Sequence, residues 1–356
     1  MTPSASKGGN PTIHRVAFDH FRFLRNDVSG EISFADPDLL RVKVQGASLD
    51  TAPFFQLGPS KTPMPETPEK DSELPPADVQ VNVDQAWVSD TGLVRGVSAS
   101  LTRDAAHWHT GNIFATIREG ASLSVGITPD VERRNFSIAS EDAGAFLHTF
   151  DFYNNMVGGD LNIEGTIDDN DVFRGNAKIS EYVIKDAPVL TRLLTVASIS
   201  GVIDLLQGDG ISFTTFEMPF TYADSIIVAE SAKAYGPSLG ITIGGHANLG
   251  AETFDFNGTL VPSYTINSLL GYIPLLGKVF VGEEGGGVLG MSYSMRGTAE
   301  DTTITVNPLS ALTPGFLRNI FGIFQNSENP LEEKLKALEA ETAARQSEPP
   351  AAEKVE

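Results

Sequence analysis

Apolar and polar residues alternate in short runs from Ile13 to the low 300s, and Gly, Asn and Asp stand between the runs. A period of two marks a strand with one buried and one solvated face, so the chain reads as mostly β. The clearest runs lie near the C-terminus. Leu289, Met291, Tyr293 and Met295 fall on one side of a strand, with Gly290, Ser292, Ser294 and Arg296 on the other. Phe254, Phe256 and Leu260 repeat the pattern against Asp255, Asn257 and Thr259. Three hairpins, through 163–167, 243–247 and 295–299, share one turn pattern. Repeated use of one device predicts an elongated, repetitive sheet.

Helical periodicity is rarer. Ser140 is placed to cap a helix with Ala143, Phe146, Leu147, Phe150 and Tyr153 on one stripe, stopped by Gly158 and Gly159. A short turn is expected after Asp50. The run 187–206 is apolar apart from a polar stripe at Thr191, Arg192, Thr195 and Ser198, and is interrupted near Ser200 and Gly201. Thr313 as N-cap and Pro314 at the first position predict a helix over 314–325, with Phe316, Leu317, Ile320, Phe321, Ile323 and Phe324 on one broad face. Beyond it, Leu331, Leu335 and Leu338 form a thin stripe in a charged, helical and then disordered tail.

These elements divide the chain. Residues 1–56 form an N-terminal β segment, 57–77 a Pro-rich flexible insertion, 78–325 the main β body with apolar helices at 187–206, 266–281 and 314–325, and 326–356 the tail. Composition then narrows the function classes. A formal charge of -21 argues against nucleic acid and against electrostatic capture by anionic lipid. The absence of cysteine removes disulfides, thiolate metal sites and Cys nucleophiles. No signal peptide or spanning run is visible, so an export signal or anchor is expected upstream if the protein works outside the cytoplasm.

Candidate chemistry is thin. Gly236, Ser238 and Gly240 spell a nucleophile elbow, but Leu239 to Gly244 continue as a strand where the elbow needs a helix, and a plain turn fits better. His107 and His109 can share one side of a strand and ligate a metal, without an evident third ligand. The run Asp168, Asp169, Asn170 and Asp171 has a calcium-loop composition but lacks the Gly and closing Glu of an EF-hand, so it reads as a hairpin turn. No phosphate-binding glycine motif occurs. No cofactor is expected, and the chain reads as non-enzymatic.

Lipid contact is better supported. The segment 266–281 places Leu269, Leu270, Ile273, Leu275, Leu276 and Phe280 around a single charge, Lys278, and is broken by Gly271, Pro274 and Gly277. Such a run in an acidic protein either packs on the sheet or meets acyl chains. The 314–325 helix suits shallow burial in an interface. It equally suits a plug at an open end of the β body, which periodicity alone slightly favours.

Taken in order, Gly258 to Pro262, Tyr264, Ile266 and Asn267, then Ile273 to Gly277, Gly285 to Gly290, Tyr293, Gly297, Val306 to Ser310 and Pro314 to Arg318 resemble the C-terminal region of the AsmA-like superfamily of Gram-negative envelope proteins. The YhdP-like branch is the most similar. Upstream, Ala187 to Leu190, Arg192, Ala197, Ser198, Gly208, Gly210, Ile211 and Phe213 fit in sequence. The N-terminal half matches only in style.

The resemblance implies a long, twisted, open antiparallel sheet, cupped around an apolar groove for acyl chains. It also implies a periplasmic location and phospholipid transfer between inner and outer membranes without any covalent step. At roughly 16 to 20 strands about 4.8 Å apart, such a sheet is on the order of 80 to 90 Å long. Phe254, Phe256, Leu260, Leu289, Met291, Tyr293 and Met295 are the groove candidates. Leu269, Leu270, Ile273, Leu275, Leu276, Phe280, Phe316, Leu317, Ile320, Phe321 and Phe324 are the membrane-contact candidates. The expected partners are phospholipid acyl chains, a membrane surface at the C-terminal end and envelope proteins. The rival readings are an envelope scaffold that assists outer-membrane protein assembly, and a secreted β-rich hydrolase or adhesin.

Overall fold

The computed structural model describes residues 14–36, 39–55, 75–131, 133–262, 290–298 and 300–307. They form one open sheet of sixteen strands whose spatial order is the chain order. The first eight are β1 (Arg15–Phe23), β2 (Asn26–Asp36), β3 (Leu39–Asp50), β4 (Ala77–Trp87), β5 (Leu93–Arg103), β6 (Trp108–Thr116), β7 (Ser122–Pro129) and β8 (Arg134–Ser140). The remainder are β9 (Met156–Ile167), β10 (Phe173–Ile184), β11 (Ile211–Ala223), β12 (Ile226–Tyr235), β13 (Leu239–Asn248), β14 (Thr253–Pro262), β15 (Met291–Gly297) and β16 (Thr302–Asn307). Short connections make sequential strands neighbours, and β1 and β16 are left as the two edges.

Every neighbouring pair is antiparallel except β3 with β4, which corrects the expectation of an antiparallel sheet throughout. Residues 51–76 leave β3 at one end and enter β4 level with the start of β3, the long return that a parallel pair requires. That return also fixes which end of each later strand lies on which side. The connections fall into two rims. One carries tight turns at 104–107, 130–133, 168–172, 224–225, 249–252 and 298–301. The other carries the longer connections and every helix of the described residues: α1 (Ala52–Phe55), a 3₁₀ turn at Arg118–Gly120, α2 (Ala143–Thr149), α3 (Pro188–Val196) and α4 (Ser200–Gln207).

The helical rim holds much of the core. Leu194, Val202, Leu206, Leu239 and Leu260 are wholly buried in one cluster with Ile211, Phe213 and Tyr293. Helix α2 packs on β9, and α3, which follows β10, packs on α4 and on β16. Arg192 on α3 donates to the Glu300 carbonyl beside β16 at 3.2 Å. Six strand spacings separate β10 from β16, roughly 29 Å if flat, while a nine-residue helix is about 13 Å long. This part of the sheet therefore bends around the helix pair.

Two helix details differ from the periodicity. The N-cap of α2 is Asp142, whose side chain accepts from the Ala145 N–H at 2.8 Å, while Ser140 closes β8. The helix stops at Thr149, short of Tyr153, and Gly158 and Gly159 lie inside β9. Both residues near the cap carry a capping oxygen, and strand pairing claims Ser140 through Leu123 and Leu161. The apolar run at 187–206 is broken into α3 and α4 around Ser198, which adopts a left-handed conformation.

Candidate functional site

The register carries one row of residues across the whole sheet. It begins Val16, Ile32, Val42, Val79, Leu101, Gly111, Ile127 and Phe136, each the direct partner of the next. It continues Gly165, Gly175, Phe220, Ala229, Gly245, Phe256, Met295 and Ile304. All sixteen positions are apolar. Because side chains alternate, the row one residue away lies on the opposite face. From Thr128 it reads Asn135, Thr166, Arg174, Thr221, Val228, His246, Asp255, Arg296 and Thr303, polar except for Val228. One face of the sheet is thus apolar from edge to edge, and the other is wet.

Cross-strand ion pairs hold the wet face: Arg15 with Glu31 at 2.6 Å, Lys178 with Glu217 at 3.6 Å and Arg296 with Asp255 at 2.9 Å. Exposed pairs of this kind are screened by water and add little stability, so their main effect is to keep that face in water. Phe114 is an exception, exposed on the wet face with no structural reason evident.

At two of the four glycines in the apolar row, Gly165 and Gly175, aromatic rings fill the gap. A Cβ on Gly165 would lie 2.7 Å from Cε1 of Phe136, and one on Gly175 would lie 3.1 Å from Phe136 Cζ and 3.2 Å from Phe220 Cζ. Phe136 therefore lies flat over two strands. Its ring meets Phe173 edge-on at 5.5 Å, and Phe173 meets Tyr222 at 5.8 Å. The aromatic line takes the place of side chains that the glycines lack.

Exposure varies along the face. Val16, Phe21, Phe23 and Phe34 are exposed at the β1 edge. In the middle, Ile113, Val125, Ile138 and Ile163 form a second apolar row and are only half-buried. At the C-terminal strands Leu239 and Leu260 are wholly buried in the cluster that also holds Leu194, Val202 and Leu206 of the helices. Apart from Phe136, a strip of aliphatic and small residues over β3–β9 gives way to Phe173, Phe216, Met218, Phe220, Phe254 and Met291 over β10–β15.

Six sequence-predicted groove residues come together. Phe254, Phe256 and Leu260 share the apolar face with Met291, Tyr293 and Met295, with Phe256 opposite Met295 and Leu260 opposite Met291. Phe254 stacks on Phe256 at 5.6 Å. Leu260 and Tyr293 are fully buried, so they serve as core and are closed to a ligand. The Tyr293 hydroxyl donates to the Thr242 carbonyl at 2.8 Å over Gly258, and burial raises its pKa above the ordinary tyrosine value. Leu289 and all eleven membrane-contact candidates lie outside the described residues. Their flanks are informative: β14 ends, β15 begins and β16 ends on the helical rim. The reading missed Ile113, Val125, Ile138 and Ile163, although the alternation from Ser122 to Thr128 was a visible signal.

The polar candidates resolve into turns. Gly236 donates its N–H to the Leu239 carbonyl in a tight turn between β12 and β13, so Ser238 leads into a strand. β6 begins only at Trp108, and the two histidines go separate ways. His109 contacts Asp104, while His107 Nδ1 lies 3.6 Å from Asp171. Asp168 accepts from the N–H groups of Asn170 and Val172 and pairs with Arg174 at 2.7 Å. Partial burial alone would raise its pKa, but Arg174 and the two N–H groups outweigh that and hold it below the usual value. Arg134, buried at the turn rim, donates to the Asp168 carbonyl at 2.7 Å and to Asp171 at 3.0 Å. Among the described residues no three metal-ligating side chains cluster. Nor is any described helix long and apolar enough to cross a membrane. No protein-family model, curated protein or solved structure matches the chain.

Proposed function

We propose that the apolar face binds the acyl chains of phospholipids, and that the protein is a non-enzymatic lipid-transfer segment working between the two membranes of a Gram-negative envelope. The observation that carries this reading is the row without a polar side chain on all sixteen strands, flanked in the middle by apolar residues that are half-buried rather than sealed. Each CH₂ that leaves water for such a surface contributes roughly 0.8 kcal/mol, enough for a fatty chain to be held by contact alone. Contact of this sort is uniform along the row, so a chain can slide without a bond being made or broken.

The periplasmic setting and the envelope partners follow from the resemblance to the AsmA-like superfamily. The bend around α3 and α4 supports a groove at the C-terminal end. Both segments expected to meet a membrane, 266–281 and 314–325, are joined to strand ends on the helical rim, which makes that rim the membrane-facing side.

Two neighbours on β9 test the reading. Ile163 lies on the apolar face and Asn162 on the wet one. Protein purified without detergent is expected to carry phospholipid detectable by mass spectrometry, and to move labelled phospholipid between vesicles. Ile163→Glu should lower both by at least about tenfold, because a carboxylate among acyl chains costs well above the roughly 1.4 kcal/mol that a tenfold change represents. Asn162→Glu should leave both unchanged. Absence of lipid from the detergent-free protein, together with no transfer, would overturn the proposal.

A further inference from the structure

The β1 edge is built unlike the β16 edge. Its apolar side chains stand in water, with Phe21 at 49% and Phe23 at 61% exposure, and among the described residues no strand covers its outer side. Natural edges usually blunt themselves with charges and bulges. β1 has both, and their placement is self-complementary. Its register with β2 shifts between Phe18 and Phe21, so Asp19 and His20 together span one step of the ladder. Val16, Phe18, Phe21 and Phe23 consequently all lie on the apolar face, opposite Ile32, Gly30, Val28 and Asn26.

We infer that β1 pairs antiparallel with β1 of a second copy, about a two-fold axis between Asp19 and His20. In that register Val16 of one copy lies opposite Phe23 of the other, and Phe18 opposite Phe21, so the apolar positions match on both sides of the axis. Asp19 meets His20 twice across the axis, an acceptor against a ring N–H. A slip of one residue sets apolar positions against polar ones. The two bulges coincide, so the two strands bend together. Arg15 and Arg22 remain bound to Glu31 and Asp27 of their own chain and do not oppose each other.

The pairing stands apart from the lipid reading, but its consequence rests on it. Thirty-two strands in one sheet would extend the apolar face to roughly 150 Å, with the two C-terminal ends pointing in opposite directions. Each end could then serve one of two facing membranes.

Sedimentation velocity on the full chain tests this without lipid. The wild type is expected at twice the mass of the chain, and Asp19→Lys at the monomer mass, since it sets a cation against His20. Asp19→Lys combined with His20→Asp restores the opposite charges and should restore the dimer. The chain has no cysteine, which permits a second test under oxidation. Val16→Cys with Phe23→Cys should give a disulfide-linked dimer, and Val16→Cys alone should not, because the two Val16 positions lie far apart in this register. A monomeric wild type, or equal cross-linking of the single and double cysteine variants, would overturn the inference.

Discussion

The middle strands β5–β9 and the C-terminal strands β13–β15 carry the same alternation, yet they use it differently. In the C-terminal strands Leu239 and Leu260 are without exposure and Tyr293 turns its hydroxyl into a hydrogen bond with Thr242, while Phe254, Phe256 and Met295, farther from the helical rim, stay half-buried. In the middle strands Leu123 and Leu161 are buried near the same rim, and the next row, Ile113, Val125, Ile138 and Ile163, remains half-buried without a sealed counterpart of Leu260. The difference comes from what crosses the face. Helices α3 and α4 fill the bend beside β11 and β16, whereas in the middle α2 packs on β9 at the helical rim and polar turns tie the far rim. An identical pattern of residues can thus make a core or present a surface, and the connections decide which.

The comparison is most exposed to a pair of truncations. Leu260→Ala removes a fully buried side chain from the core cluster, and should cost about 2–5 kcal/mol in urea unfolding followed by circular dichroism. Ile163→Ala removes a half-buried side chain and should cost about 1 kcal/mol. Lipid transfer should rank them the other way, with Ile163→Ala the more damaging. Equal costs would mean that the middle of the face is ordinary core, and the contrast would collapse.

Part of this was legible from the residues alone. Alternation in 254–260 and 289–296 assigned Phe256 and Met295 to one face and Asp255 and Arg296 to the other, and the register agrees. What alternation cannot carry is depth. It gives Leu260 and Ile163 the same label, because burial depends on what packs over each position, and packing such as that of α3 on β16 joins parts far apart along the chain. The parallel β3–β4 pair was hidden for a related reason: the strands look alike whichever way they run, and only the path of the Pro-rich return decides. The second apolar row through Ile113 and Ile138 was legible as alternation of Val, Ala and Ile with Ser and Thr, but its alignment across strands depends on register, which alternation within one strand does not fix.

A smaller effect sharpens the sealed side. Tyr293→Phe deletes the hydroxyl that caps the Thr242 carbonyl and should cost about 1 kcal/mol at neutral pH. Burial holds the pKa of Tyr293 above its unfolded value of about 10. Below that pH the phenol is neutral in both states. Above it the unfolded chain releases the proton first, so stability is lost as pH rises past about 10. The Phe variant should show a shallower alkaline decline. An unchanged decline would place the alkaline sensitivity elsewhere, with Tyr182, also raised by burial, the next group to replace.

The smallest expected effect lies at the opposite rim, where the middle strands are tied by hydrogen bonds rather than by burial. The Asp104 carboxylate is held at about 2, chiefly by the His107 backbone N–H; slight burial opposes the shift, and the Ala106 N–H and the His109 ring add to it. A carboxylate depressed in this way contributes stability that is complete above the unfolded value of about 3.9 and fades as pH falls through about 2. Because the side chain is nearly half exposed, solvent weakens the contribution and the change should be local. Hydrogen exchange at pH 4 and again near pH 2 should therefore quicken at the β5–β6 turn, residues 104–109, before it quickens at 239–243 in β13. Asp104→Asn should show the fast turn already at pH 4. If the two regions loosen together, the turn rim and the helical core belong to one cooperative unit, and the middle strands owe their hold to the whole sheet instead of to their own turns.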